Sequence, residues 1–399
     1  MPPYMKIGSI PRKRHMAHRH LPGFRGEGIF YEEVVTTGGF GRTYSICYHL
    51  RPPTRVRKVE SSGSVSIDTW NETVLRHHHL KTGRMMPHGT PISGRVPLLL
   101  NDDVVMSRCR PSEPQTELYR NAAADEVLFV HQGTGVLHSM FGVLPFKACD
   151  YVVVPRCTTY RLEFDTGIHG AQPDLLVFES GGSVIVPPRY LQPDGQIRLG
   201  SPYGERDFHG PHETGVIDSE KDVTILIKDG RRLTRYTLAH HPFDVVGWDG
   251  MLYPYTFNAD DFEPITGTFH QPPPIHQTFE APGFVICTFA PRMLDTNPEA
   301  IRVPWAHSNV QADEVLFYVR GHFSSRKGVE EASITLHPRG IPHGPHPGTI
   351  VASRNKTQTD ELAVMMDTVK PLALTRQAVE LDDPDYPYSW LEDEPGPVL

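Results

Sequence analysis

The sequence predicts an all-β protein of two jelly-roll-like barrel lobes with few helices. Three observations carry that expectation. Short apolar runs bounded by turn residues recur along the chain, proline is abundant, and one strand unit occurs twice. The 38 prolines in 399 residues approach twice the usual share of ~5%. Proline breaks helix interiors but is tolerated at turns and strand ends, so this composition leans toward β structure.

The runs, in order, are "EVLFVHQG", "GVLHSMFG", "DYVVVP", "DLLVFES", "GSVIVPP", "VTILIK", "FVICTFAPR", "EVLFYVRG" and "SITLHPRG". Each is rich in Val, Ile, Phe or Tyr and ends at Gly, Pro or Asp, the pattern of strands in a sandwich or barrel. Helical spacing is scarce; "ALTRQAVEL" near the C-terminus is one of few candidates. The repeat begins "ADEVLF" at Ala124 and again at Ala312, and each copy proceeds to a strand ending in Pro-Arg, at Pro155-Arg156 and Pro338-Arg339. Two such units, each closing into a double-sheet roll, make a bicupin. The expected division is residues 1–120 as a β-rich N-terminal region completing the first lobe, 121–235 as a metal-free cupin lobe, and 236–399 as the metal-binding lobe with a C-terminal extension.

A net charge of −8 disfavours nucleic-acid and membrane-surface partners, which select basic patches. No apolar run reaches the ~20 residues of a membrane-spanning helix, and the N-terminus lacks a signal-peptide core. The expectation is a soluble cytoplasmic protein. Five scattered cysteines without a C-x-x-C pair argue against a disulfide framework and a zinc–thiolate site.

Chemistry concentrates in the second repeat. His307 precedes the shared "ADE" and His343 follows the Pro-Arg, whereas the first copy has Tyr119 and Tyr160 at those places, with Glu126 matching Glu314. Two imidazoles and one carboxylate on neighbouring strands can hold one face of a metal and leave three positions open, as in non-haem Fe(II) oxygenases. The alternative is a solvent-facing carboxylate among ordinary surface histidines. Three further histidines, His77–His79, read as a surface loop, because adjacent strand residues point to opposite faces and cannot all close on one ion. "GGFGRT" at Gly38–Thr43 lacks a Walker Lys-Ser/Thr and reads as a turn.

The stretches "DVVGWDGMLYPYTFNADDFEPI", "HSNVQADEVLFYVRGH" and "LHPRGIPHGP" resemble the homogentisate 1,2-dioxygenase family, with similarity from about Ala122 to Leu374. That resemblance implies Fe(II) held by His307, Glu314 and His343, a proton-accepting His270, and Asn309 and His337 as substrate or second-layer contacts. His276 is the next candidate for the base. The implied reaction is ring cleavage of homogentisate by O₂ to maleylacetoacetate, in tyrosine and phenylalanine catabolism, by a homo-oligomer (trimer or hexamer). Two departures stand out. One extra residue separates His307 from the glutamate, which makes Asp313 a rival ligand. Phe323 replaces the tyrosine that follows "RGH" in the family, at the substrate's ring hydroxyl. Gentisate or a hydroxyanthranilate-like acid is therefore an alternative substrate, and a non-catalytic small-molecule-binding bicupin is a reading from another class.

Overall fold

A computed structural model describes residues 3–16, 29–165, 171–266, 276–303, 306–323 and 328–391. The two repeated strands, Asp125–Gln132 and Asp313–Arg320, are buried on both faces except at the last residue, which is why each reads as an unbroken apolar run. Side chains alternate across a strand. Glu126, Leu128 and Val130 therefore enter the interior of the first lobe, where Leu128 and Val130 pack with Leu162, Leu175 and Val177. In the second lobe, Leu316 and Tyr318 pack inward with Cys287, Ala363 and Met365, on the face that carries Glu314.

The opposite faces meet between the lobes. Val127 and Phe129 share one large core with Val315 and Phe317, and the Phe129 and Phe317 rings lie 6.3 Å apart. An eight-stranded and a six-stranded sheet thus stand back to back, each half of one lobe, and a seven-stranded and a four-stranded sheet complete the fold. The molecule is an all-β bicupin. Among the described residues there are two short α-helices, Pro347–Ala352 and Arg376–Glu380. The second falls within the predicted "ALTRQAVEL", and the Thr375 side chain caps it by accepting from Ala378 N.

The repeat holds at the level of single hydrogen bonds. Asp125 Oδ1 accepts from Arg156 N and Nε, at 3.1 and 2.9 Å. Asp313 Oδ1 accepts from Arg339 N and Nη1, at 3.0 and 3.2 Å. Asp125 and Asp313 each use the other carboxylate oxygen to accept a backbone N–H, from Val184 and Leu372. In both lobes, then, the aspartate pins the Pro-Arg turn.

Two expectations need correction. Val245–Gly250 and Tyr255–Asn258, assigned to the second lobe, pair with Tyr44–His49 and Asp150–Val154 and so belong to N-terminal sheets. His77–His79 are not a surface loop. His78–Leu80 forms the edge strand of the second lobe's sheet, paired with Ile334–His337, and all three histidines are buried. Gly38–Thr43 is mostly turn, as expected.

Candidate metal centre

Glu314 sits near the start of its strand, opposite His337 on one side and Asp367 on the other. Two backbone hydrogen bonds tie His307 and His343 together, His307 N to His343 O at 2.8 Å and His343 N to His307 O at 2.9 Å. This isolated bridge brings the two rings to 4.4 Å. His307 Nε2 is 3.4 Å from Glu314 Oε2, and His343 Nε2 is 3.3 Å from Glu314 Oε1. The three donor atoms all lie within 4.8 Å of one another, a spacing one ion can bridge. Sequence reasoning placed these residues together, and the structure brings them together.

The surrounding groups orient this set. His343 Nδ1 lies 3.1 Å from Ile341 O; donating there leaves Nε2 to point into the site with its lone pair. His337 Nδ1 lies 2.9 Å from Glu314 Oε1, and its Nε2 lies 3.1 Å from the Tyr386 hydroxyl. The His337 ring stacks on His343 at 4.5 Å. Burial pushes the Glu314 carboxyl up, but the surrounding imidazoles of His307, His337 and His343 outweigh it and hold the group well below the usual carboxylate range. Burial, followed by the Glu314 charge, pushes the neighbouring Asp367 up to about 8.

Asp313 is removed as a rival. Its two oxygens serve the Arg339 turn and Leu372 N, on the opposite face of the strand from Glu314.

The first lobe shows what the same position becomes without a metal role. Arg95 Nη1 lies 2.5 Å from Glu126 Oε1, Tyr160 donates to Oε2 at 2.6 Å, and Asn121 and Tyr119 complete the shell at 3.2 and 3.4 Å. A guanidinium neutralises that carboxylate. Around Glu314 the paired groups are histidines only, among the described residues. Among the described residues, His343 Nε2 is buried without a hydrogen-bond partner. A buried anion faced by converging imidazole nitrogens, one of them unsatisfied, is the donor set of a divalent cation, so the residues fit a metal here.

Farther along the same inward face, Gly321 turns the chain at φ 95°. A side chain there would meet Asp360 O at 2.3 Å, so glycine is required. Past that turn Phe323 packs edge-on against Tyr318, with centroids 4.9 Å apart. Among the described residues, the buried Asn309 Nδ2 has no partner, and the Asn309 backbone oxygen accepts Gly340 N at 2.7 Å. His270 lies outside the described residues. Four residues near the site were not foreseen: His77, whose ring lies 5.6 and 6.1 Å from His337 and His343, with Asp367, Tyr386 and Trp390. Trp390 Nε1 donates to Gly344 O at 2.8 Å. They come from distant segments without a local motif, and only the triple histidine offered a signal.

Fold and site together define a bicupin with one lobe equipped to hold a metal and the other closed by an ion pair. Two family models, homogentisate 1,2-dioxygenase N-terminal and C-terminal, match residues 107–259 and 256–393. A Saccharolobus solfataricus protein, whose provisional name is that of a dioxygenase with no substrate given, is 40% identical over 97% of this chain and 98% of its own. The homogentisate 1,2-dioxygenases of Nitrobacter hamburgensis and Rhizobium etli are 25% and 27% identical, each over 96% of this chain and over 90% and 89% of theirs. A cupin barrel protein from Leptotrichia buccalis aligns over 75% of this chain and 99% of its own at 8% identity, with a TM-score of 0.34, too loose a likeness to carry an argument. This chain belongs to the homogentisate 1,2-dioxygenase family, and it is a dioxygenase-type enzyme.

Proposed function

We propose that the protein is an Fe(II)-dependent dioxygenase that opens the aromatic ring of homogentisate, giving maleylacetoacetate. The observation that carries this reading is the convergence of His307, Glu314 and His343, in one lobe only among the described residues, inside a chain of this family. Bound Fe(II) would supply the redox chemistry that joins O₂ to an electron-rich ring. The chain's own part is positioning. His337 fixes the Glu314 carboxylate from one side, and Ile341 O sets the tautomer of His343. The unsatisfied Asn309 amide is a donor suited to the substrate carboxylate. His270 takes the phenol proton as general base. The apolar wall of Leu316, Tyr318, Phe323 and Met365 receives the ring and keeps water from it. The same reading places the protein in the cytoplasm as a homo-oligomer, degrading tyrosine and phenylalanine.

A second reading, cleavage of another hydroquinone or of a hydroxybenzoate such as gentisate, is favoured by one residue. Phe323 offers the ring no hydroxyl.

Metal analysis tests the assignment. Protein reconstituted anaerobically should hold about one Fe(II) per chain, and His307→Ala, Glu314→Ala and His343→Ala should each lose it, while Glu126→Ala should not. Full iron in Glu314→Ala or His343→Ala contradicts the ligand set. His270→Ala should keep iron yet lose ~10²–10⁴-fold in rate, the usual contribution of a positioned base. Loss of iron together with rate would make His270 structural instead.

A further inference from the structure

His276 is a buried polar group of the second lobe, near the Arg292 charge. It directly precedes the Gln277–Ala281 strand and is 4% exposed. Its ring stacks on Phe289 with centroids 4.2 Å apart and planes 22° apart. Phe289 packs onto the inward cluster that also receives Phe323. In register, Phe289 faces Ala363, and Ala363 faces Tyr318, the residue Phe323 packs against. His276 and Phe323 therefore flank one layer of the barrel interior. Glu314 lies four residues up the same strand face from Tyr318, ~13 Å at the usual rise, with Leu316, Met365 and Cys287 forming the layer between.

The ring has one satisfied side. It faces the Thr288 backbone, while Nδ1 is buried and, among the described residues, without a partner. Burial and the nearby Arg292 charge push the imidazole well below its ordinary value, so it is neutral at physiological pH. A neutral imidazole that donates one N–H to a backbone carbonyl presents the other nitrogen as an acceptor. A buried acceptor without a partner, on the wall of an aromatic-binding interior, is matched by a ligand hydroxyl.

We infer that His276 Nδ1 accepts a hydrogen bond from the ring hydroxyl remote from the substrate's metal-binding end, and that it selects dihydroxylated rings in place of the tyrosine hydroxyl that Phe323 lacks. This inference rests on the reading of the site as one for a hydroxylated aromatic acid. His276 is a specificity residue in it and His270 keeps the separate role of base.

The test compares two ligands that differ by that hydroxyl, homogentisate and 2-hydroxyphenylacetate, titrated anaerobically into iron-loaded protein. Wild type should bind homogentisate more tightly, by up to about tenfold. His276→Phe, which preserves the stack on Phe289, should lose at least most of that preference by weakening homogentisate alone, with iron content and 2-hydroxyphenylacetate affinity unchanged. His276→Gln, which restores an acceptor oxygen, should recover part of it, and decides the matter if the Phe variant does not fold. Equal weakening of both ligands in the variants would show a structural role and overturn the inference. So would an unchanged preference. A wild-type protein that carries iron but binds neither ligand overturns the reading of the site itself.

Discussion

Glu126 and Glu314 start from the same hexapeptide and reach the same place in their lobes, yet meet different partners. One faces Arg95 and the other faces imidazoles. The asymmetry was legible because histidines replaced Tyr119 and Tyr160 in one copy only. The structure shows those two tyrosines bonded to Glu126, as ligand-position residues turned into hydrogen-bond donors. Choosing between Asp313 and Glu314 was not possible from spacing, since an added loop residue shifts either into reach. Strand alternation decides it once the Arg339 turn is seen to hold Asp313. The departure at Phe323 is testable at this scale. Phe323→Tyr should tighten ligands that carry the remote hydroxyl by up to about tenfold, the worth of a net hydrogen bond in a closed pocket. Ligands without it should gain nothing or bind worse, because the new phenol would be buried unpaired. An equal effect on all ring acids would show that residue 323 does not face the substrate.

At the scale of elements, strands buried on both faces were the most legible, because a run such as "EVLFYV" has no other way to hide both sides. Edges and lobe boundaries were not, since they depend on pairing partners far away in sequence. The "HHHL" segment looked like a solvated loop, yet it pairs with Ile334–His337, and the carboxylate of Asp382 lies 2.9 Å from His78 Nδ1. The N-terminal four-stranded sheet holds a second buried histidine pairing. Burial lowers His49, but hydrogen bonds to Asp244 and Glu33 outweigh it and raise the ring to about 9. Its unfolded value is near 6.5, so the folded pKa is raised. The charged pairing stabilises fully below about pH 6.5 and is lost as pH rises through about 9, a difference of up to about 3 kcal/mol. Denaturant unfolding of wild type and His49→Gln should therefore show a stability gap that shrinks across that window. A gap that stays constant from pH 6 to pH 9.5 would mean His49 does not change charge there.

The two lobes are held together by the core between the eight-stranded and six-stranded sheets, and this contact had no signature in the sequence beyond apolar strands. Within it lies a fully buried cation. Arg108 pairs with Asp174 at 2.5 Å and stands 4.5 Å over the Phe317 ring, while the His131 ring meets that same ring edge-on at 5.2 Å. The interlobe core thus packs directly behind the strand that carries Glu314. Arg110 Nε, 3.3 Å from the other Asp174 oxygen, would still face that carboxylate. Arg108→Met should therefore cost about 1–3 kcal/mol, below the ~3–5 kcal/mol of a fully unpaired buried charge, and Asp174→Asn in the same chain should recover part of it. A loss below about 1 kcal/mol in the single variant would show that the pair does not hold the sheets together.

The repeat made the two-lobe architecture readable, and the unequal histidines pointed to which lobe is live. The homogentisate assignment rests on the family and on one apolar wall. Its most direct test follows O₂ uptake and product together in iron-loaded protein given homogentisate. The account predicts a dioxygen consumed for each homogentisate, an open-chain product that carries both oxygen atoms from labelled O₂, and loss of both in Glu314→Ala. Hydrogen peroxide or a simple quinone as the main product, or no substrate-dependent uptake by protein with its full iron, would contradict it.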